Sequence, residues 1–196
     1  MKRRYQVLSF YIIFLLITSN AGAQAKLFTL LSPDSTGVNF NNIVLDDQRL
    51  NVVSYEYFYN GAGVSAGDVN HDGLPDLYFT SNVGDCKLYI NKGGLRFEDV
   101  TEKAGVNGGV GYKTGGVMVD SNNDGWMDIY VCRSVAKEAK QRRNLLYINN
   151  QNGTFTDRAV EYGVADEGYS MSAYFNDLDN DGDLRSEEHT SELQSR

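Results

Sequence analysis

The chain has 196 residues, with 26 Asp and Glu against 18 Lys and Arg, and a formal net charge of −8. That balance repels the phosphates of nucleic acid, so no nucleic-acid partner is expected; it suits cation binding or plain solubility. Two Cys are too few for a disulfide framework, and 20 Gly, 13 Tyr and 9 Phe with only 2 Pro point to tight turns between aromatic-rich strands.

Residues 1–23 read as an export signal. Lys2, Arg3 and Arg4 precede an apolar run at residues 7–17, and Ala21-Gly22-Ala23 supplies a small-x-small cleavage pattern. The run falls well short of the roughly 20 residues that a spanning helix needs, so no membrane span is expected after cleavage. The expected location is periplasmic, cell-surface or extracellular.

Downstream, three segments align: Gly67-Asp-Val-Asn-His-Asp-Gly-Leu-Pro-Asp-Leu-Tyr-Phe79, Val119-Asp-Ser-Asn-Asn-Asp-Gly-Trp-Met-Asp-Ile-Tyr-Val131 and Asn176-Asp-Leu-Asp-Asn-Asp-Gly-Asp-Leu184. A second motif recurs between them, Leu88-Tyr-Ile-Asn91 and Leu146-Tyr-Ile-Asn149, each followed by a Phe-x-Asp and a Gly-Val. A period of about 50–60 residues marks a repeat architecture. The first unit predicts strands near 61–67, 76–81, 87–91 and 96–101. The second predicts strands near 115–120, 128–133, 144–149 and 154–158, with Asn152-Gly153 as a hairpin turn. Ala136–Arg143 is an inserted charged loop or short helix. Four antiparallel strands per unit predict an all-β fold, a fragment of a β-propeller built from four-stranded antiparallel blades; a solenoid or sandwich is the competing reading.

This organisation divides the chain into a signal at 1–23, an N-terminal segment at 24–60, blades at 61–114 and 115–170, and the start of a third at 171–184. Phe28–Val38 echoes Phe97–Val106 and reads as a last strand without the three before it, suited to closing a ring from the other end of the chain. Asn51–Tyr59, rich in Tyr and Val, is expected to pair with a neighbour that the sequence does not identify. Residues 185–196 include eleven residues identical to the translation of a common sequencing adapter, and are expected to be an artefact of that origin.

The acidic segments carry the chemistry. In Asp-x-Asn/Asp-x-Asp-Gly-x-x-Asp, oxygens at alternate positions of a tight loop converge on one point. A hard cation such as Ca²⁺ takes six to eight oxygens at about 2.3–2.6 Å. The first loop offers Asp68, Asn70, Asp72, the carbonyl of Leu74, and Asp76. The second offers Asp120, Asn122, Asp124, the carbonyl of Trp126, and Asp128. The third offers Asp177, Asp179 and Asp181, but its ninth position is Arg185, where the register calls for a carboxylate. The twelfth position holds Phe79 or Val131, which excludes an EF-hand, and no His or Cys cluster invites a softer metal. A metal-free Asp/Asn/Gly turn is the plainer alternative. His71, between ligand positions, is expected to face solvent.

At these residues the chain resembles the FG-GAP/VCBS repeat family of secreted bacterial proteins. The motifs Tyr59–Asp68, Gly73-Leu-Pro-Asp76, Ile129-Tyr-Val-Cys-Arg133 and Asp179–Leu184 carry the resemblance, which is nearest to the branch whose later blades precede an ASPIC/UnbV domain. The resemblance implies a calcium-binding β-propeller like integrin α-subunit heads, engaging an extracellular protein or glycan ligand in adhesion or binding. Propellers take four to eight blades, so the chain reads as the N-terminal part of a longer protein. An enzyme is not expected: His71 is the one His before the C-terminal tail, which leaves nucleophile–His pairs poorly supplied. The alternative is a non-catalytic part of a larger secreted carbohydrate-active enzyme. Arg133, Lys137, Lys140, Arg142 and Arg143 form a basic cluster that reads as a solvated loop. Cys86 and Cys132, in different units, read as two buried or partly buried free thiols, with an inter-blade disulfide as the alternative in an exported protein.

Overall fold

A glycine in the left-handed region, Gly73 at φ 81° and Gly125 at φ 88°, turns each acidic loop so that its flanks pair as antiparallel strands. In the computed structural model, which describes residues 27–48, 50–177 and the backbone of 185–190, the first loop joins β1 (Val64–Gly67) to β2 (Asp76–Phe79). β3 (Lys87–Asn91) and β4 (Phe97–Asp99) complete the sheet. The second sheet repeats the plan with β5 (Tyr112–Val119), β6 (Asp128–Ser134), β7 (Leu145–Asn149) and β8 (Phe155–Asp157). Both sheets are antiparallel with strands in chain order. β9 (Ser170–Asn176) pairs with β10 (Arg185–Thr190); Arg185 lies opposite Asn176, in the register of Asp76 opposite Gly67 and Asp128 opposite Val119.

The first strand of each sheet meets the first strand of the next, β1 against β5 and β5 against β9. The fold is all-β, and sheets stacked in sequence about their first strands match the blades of a β-propeller fragment. Alternation along the middle strands builds the two interfaces. Ile129, Val131, Leu145 and Tyr147 face the first blade and join Tyr78, Leu88, Ile90 and Val106 in one core. Tyr130, Cys132, Leu146 and Ile148 point the other way and pack with Ala159 and Ala173. β6 is therefore buried on both faces, which is why it reads as a near-continuous apolar run.

The expected strands are all present, several of them shorter. Two differences have local causes. β5 begins at Tyr112, inside the residues assigned to the first blade, because a bulge between Lys113 and Gly115 lets pairing continue past Gly115-Gly116. Asn51–Tyr59 forms turns, not a strand; Tyr55 and Phe58 pack on Tyr112, whose hydroxyl donates to the Phe58 carbonyl.

Among the described residues three one-turn helices intervene: α1 (Pro33–Thr36), α2 (Thr101–Ala104) and α3 (Ala139–Arg142), the last inside the charged insertion. α1 ends at Gly37 and α2 at Gly105, both left-handed caps, so the echo between these segments is a helical turn capped by Gly-Val. The strand expected from Phe28 is not formed. The chain divides into two units, Met1–Leu31 and Ser32–Arg196. Of the first only 27–31 are described, and they carry no helix or strand. The expected signal at 1–23 lies outside the described residues. Among the described residues no helix is long and apolar enough to cross a membrane.

Candidate metal-binding loops

The first loop is organised by its own side chains. The Asp72 N–H donates to both Asp68 Oδ1 (3.2 Å) and Asn70 Oδ1 (3.0 Å), Gly73 N–H to Asp68 Oδ2 (2.8 Å), and Leu74 N–H to Asp72 Oδ1 (2.9 Å). Asn70 Nδ2 closes the ring on Asp72 Oδ2 at 3.0 Å. The second loop repeats the scheme. Asp124 N–H donates to Asp120 Oδ1 and Asn122 Oδ1 (both 3.1 Å), Gly125 N–H to Asp120 Oδ2 (2.8 Å) and Trp126 N–H to Asp124 Oδ1 (2.8 Å). Asn122 Nδ2 donates to Asp124 Oδ2 at 3.1 Å.

The ninth position behaves differently. Asp76 and Asp128 are fully buried at the start of their strands. Asp76 accepts from Val69 N–H (3.0 Å) and Asn91 N–H (2.8 Å). Asp128 accepts from the Ser121 N–H (3.1 Å) and hydroxyl and from Asn149 N–H (2.8 Å). Each aspartate thus ties its loop to the third strand of its blade. The asparagine that ends each Leu-Tyr-Ile-Asn motif answers from that strand: Asn91 Nδ2 donates to the Pro75 carbonyl (3.0 Å) and Asn149 Nδ2 to the Met127 carbonyl (3.1 Å). Asn149 Nδ2 also reaches the Val69 carbonyl, across the blade interface, at 2.9 Å. The motif was visible in the sequence; this role was not.

Burial raises the Asp76 and Asp128 carboxyls above the ordinary range, with nearby loop carboxylates adding to the shift. At Asp68, burial is opposed and outweighed by backbone donors from Gly73, Asn70, Asp72 and His71, so its carboxyl falls. Asp124 is likewise lowered, its burial outweighed by bonds from Trp126, Asn122 and Gln151.

His71 is exposed, as expected, and it also joins the two loops. Its ring lies flat on Trp126, centroids 4.0 Å apart and planes 7° apart, and its Nε2 donates to the Gly125 carbonyl at 2.8 Å. One acidic loop therefore rests on the next. Replacing His71 with Ala is expected to cost about 1 kcal/mol, the loss of one stack and one hydrogen bond, measured by chemical denaturation. Trp126 is the only Trp, so its emission should shift in the same variant.

Every side-chain donor at positions one, three, five and nine is an oxygen, the chemistry that suits a hard cation. Among the described residues, no group of three or more Asp, Glu, His or Cys side chains is arranged to hold a metal ion. In the third loop Asp177 ends the described stretch; Asp179 and Asp181 lie outside it.

The basic cluster divides. Arg133 is 7% exposed and lies within β6. Arg142 donates to the Glu167 and Ala136 carbonyls and stacks over Tyr169, while Arg143 pairs with Asp157 at 3.4 Å. Cys86 and Cys132 are both buried and are not joined in a disulfide.

A sequence-family profile described as FG-GAP-like repeat matches residues 68–131 and 135–184, more than half of the chain, the first match opening after β1 and the second between β6 and β7. No curated protein matches the chain.

Proposed function

Because the chain belongs to the FG-GAP-like repeat family, we propose that it is an exported, calcium-braced β-propeller module that serves as a non-catalytic scaffold for an extracellular protein or glycan ligand. The observation that carries this reading is one oxygen-lined hydrogen-bond scheme repeated in both complete loops. Asp68, Asn70, Asp72 and Asp76, with the Leu74 carbonyl, would hold one ion. Asp120, Asn122, Asp124 and Asp128, with the Trp126 carbonyl, would hold a second, and Asp177, Asp179 and Asp181 belong to a third. Bound Ca²⁺ would supply the positive charge that three carboxylates in nine residues lack. The chain's own part is already laid out: backbone amides orient Asp68 and Asp72, and Asp76 fastens the loop to β3. His71 is engaged by Gly125 and Trp126, which supports a stabilising use over a catalytic one.

Calorimetry and thermal melting of the full chain in Ca²⁺ against chelator test the proposal, with Trp126 emission as a local report on the second loop. Extracellular calcium modules bind at roughly 10⁻⁴–10⁻³ M. At tenfold excess over such a Kd each site adds about 1.4 kcal/mol by mass action. Absent binding heat, an unchanged melting temperature and unmoved Trp126 emission would overturn it.

A further inference from the structure

We propose that Lys113 and Arg133 form a binding site for a single tetrahedral oxyanion, sulfate or phosphate, free or carried as an ester on a larger ligand, at the end of the second blade away from its acidic loop. The two residues are register partners on β5 and β6. Both are buried, Lys113 at 1% exposed and Arg133 at 7%. Like charges directly opposite on paired strands destabilise a sheet, and a buried cation without a counter-charge costs more still. Arginine cannot escape by losing its proton.

Among the described residues no carboxylate forms an ion pair with either group. Lys113 Nζ donates only to the Gly109 carbonyl, at 3.2 Å. Among the described residues no ion pair or hydrogen bond engages the Arg133 guanidinium, and its Nε is buried without a partner. Of the nearby acids, Asp157 is paired with Arg143, and Asp85 is exposed and forms no ion pair. Arg133 Nε and Arg143 Nε are both buried without a hydrogen-bond partner among the described residues. Burial, with a further push from Arg133, also drives the Lys113 ammonium below its ordinary range, a shift that an anion would reverse.

The guanidinium lies against bare backbone: a Cβ on Gly109 would stand 3.8 Å from Arg133 Nη2, and one on Gly111 3.7 Å from Nε. Gly109 and Val110, which precede Gly111 in the chain, are exposed. A doubly charged oxyanion matches the two buried positive charges in number. Its several acceptor oxygens match a guanidinium fork beside a lysine point charge. The overall charge of −8 disfavours a polyanion and favours one compact anionic group.

This site does not depend on the calcium reading, so the test is run in chelator. Sodium sulfate and sodium phosphate are titrated into the full chain by calorimetry, against sodium chloride at matched ionic strength, with glucose 6-sulfate and glucose as further probes. Saturable heat with sulfate or phosphate is expected, weakened at least tenfold by Lys113→Met. That variant's melting temperature in chloride should hold or rise, since an unpaired buried charge has gone. If Lys113→Met does not fold, Arg133→Met is read in the same way. Tighter binding of glucose 6-sulfate than of sulfate assigns the site to an ester; equal affinity assigns it to the free ion. No saturable heat with any anion, or heat that survives in the variant, overturns the proposal.

Discussion

Asp128→Ala is expected to lower stability by about 3 kcal/mol in chelator, before any metal is considered. The Asp128 carboxylate is fully buried and accepts three bonds, two from Ser121 and one from the Asn149 N–H. Alanine would strand those donors at the foot of β6 and β7, and each buried group left unpaired costs about 1–3 kcal/mol. The burial that raises the Asp128 carboxyl offsets part of this, which places the estimate toward the lower end of the sum. Asp124→Ala should behave otherwise. Asp124 is exposed and would lose mainly the bonds from Trp126, Asn122 and Gln151, a cost within about 1 kcal/mol in chelator. Its larger effect belongs in Ca²⁺, where it would remove a ligand. Denaturant melts of both variants in chelator and in Ca²⁺ separate the two roles. Equal losses without metal would show that Asp128 does not anchor the sheet in the way its bonds indicate.

That contrast also marks how far the sequence could be read. Glycine, aspartate and asparagine at fixed offsets specify a turn through local chemistry, so the loops and the strands that they start were legible. Asp76 and Asp128 looked equivalent to the other acids because spacing does not distinguish a carboxylate inside the blade from one at its rim. The contacts of His71 were hidden for a related reason: its partners, Gly125 and Trp126, belong to another loop and meet it only after the blades stack. Asn149 likewise finds Val69 across an interface. Arg133 was grouped with a surface run because it precedes Lys137, Lys140, Arg142 and Arg143 in the chain. The strand pairing separates it from them and places it beside Lys113. Local turns and periods were readable; contacts between blades were not, since no short-range pattern encodes them.

The tightest of those contacts gives the second expected result. Gly116→Ala should cost about 1–3 kcal/mol, although the glycine is in an ordinary strand conformation and no backbone strain is involved. Gly116 sits on β5 where it passes the end of the first blade. A Cβ there would stand 2.8 Å from Thr80 Cγ2 and 3.4 Å from the Tyr78 ring, and neither neighbour is free to move. Tyr78 and Thr80 are both fully buried. Thr80 Oγ1 accepts from Gly63 N–H at 2.6 Å and donates to the Gly63 carbonyl at 3.1 Å, so pushing Thr80 aside also loosens the entry to β1. The mechanism predicts its own rescue. Thr80→Ser deletes the obstructing methyl and keeps the hydroxyl bonds, so Gly116→Ala should cost markedly less in a Thr80→Ser background. A double-mutant cycle by thermal or chemical denaturation reads that coupling directly. An equal cost in both backgrounds would mean that the small residue serves something other than the close approach of the two blades.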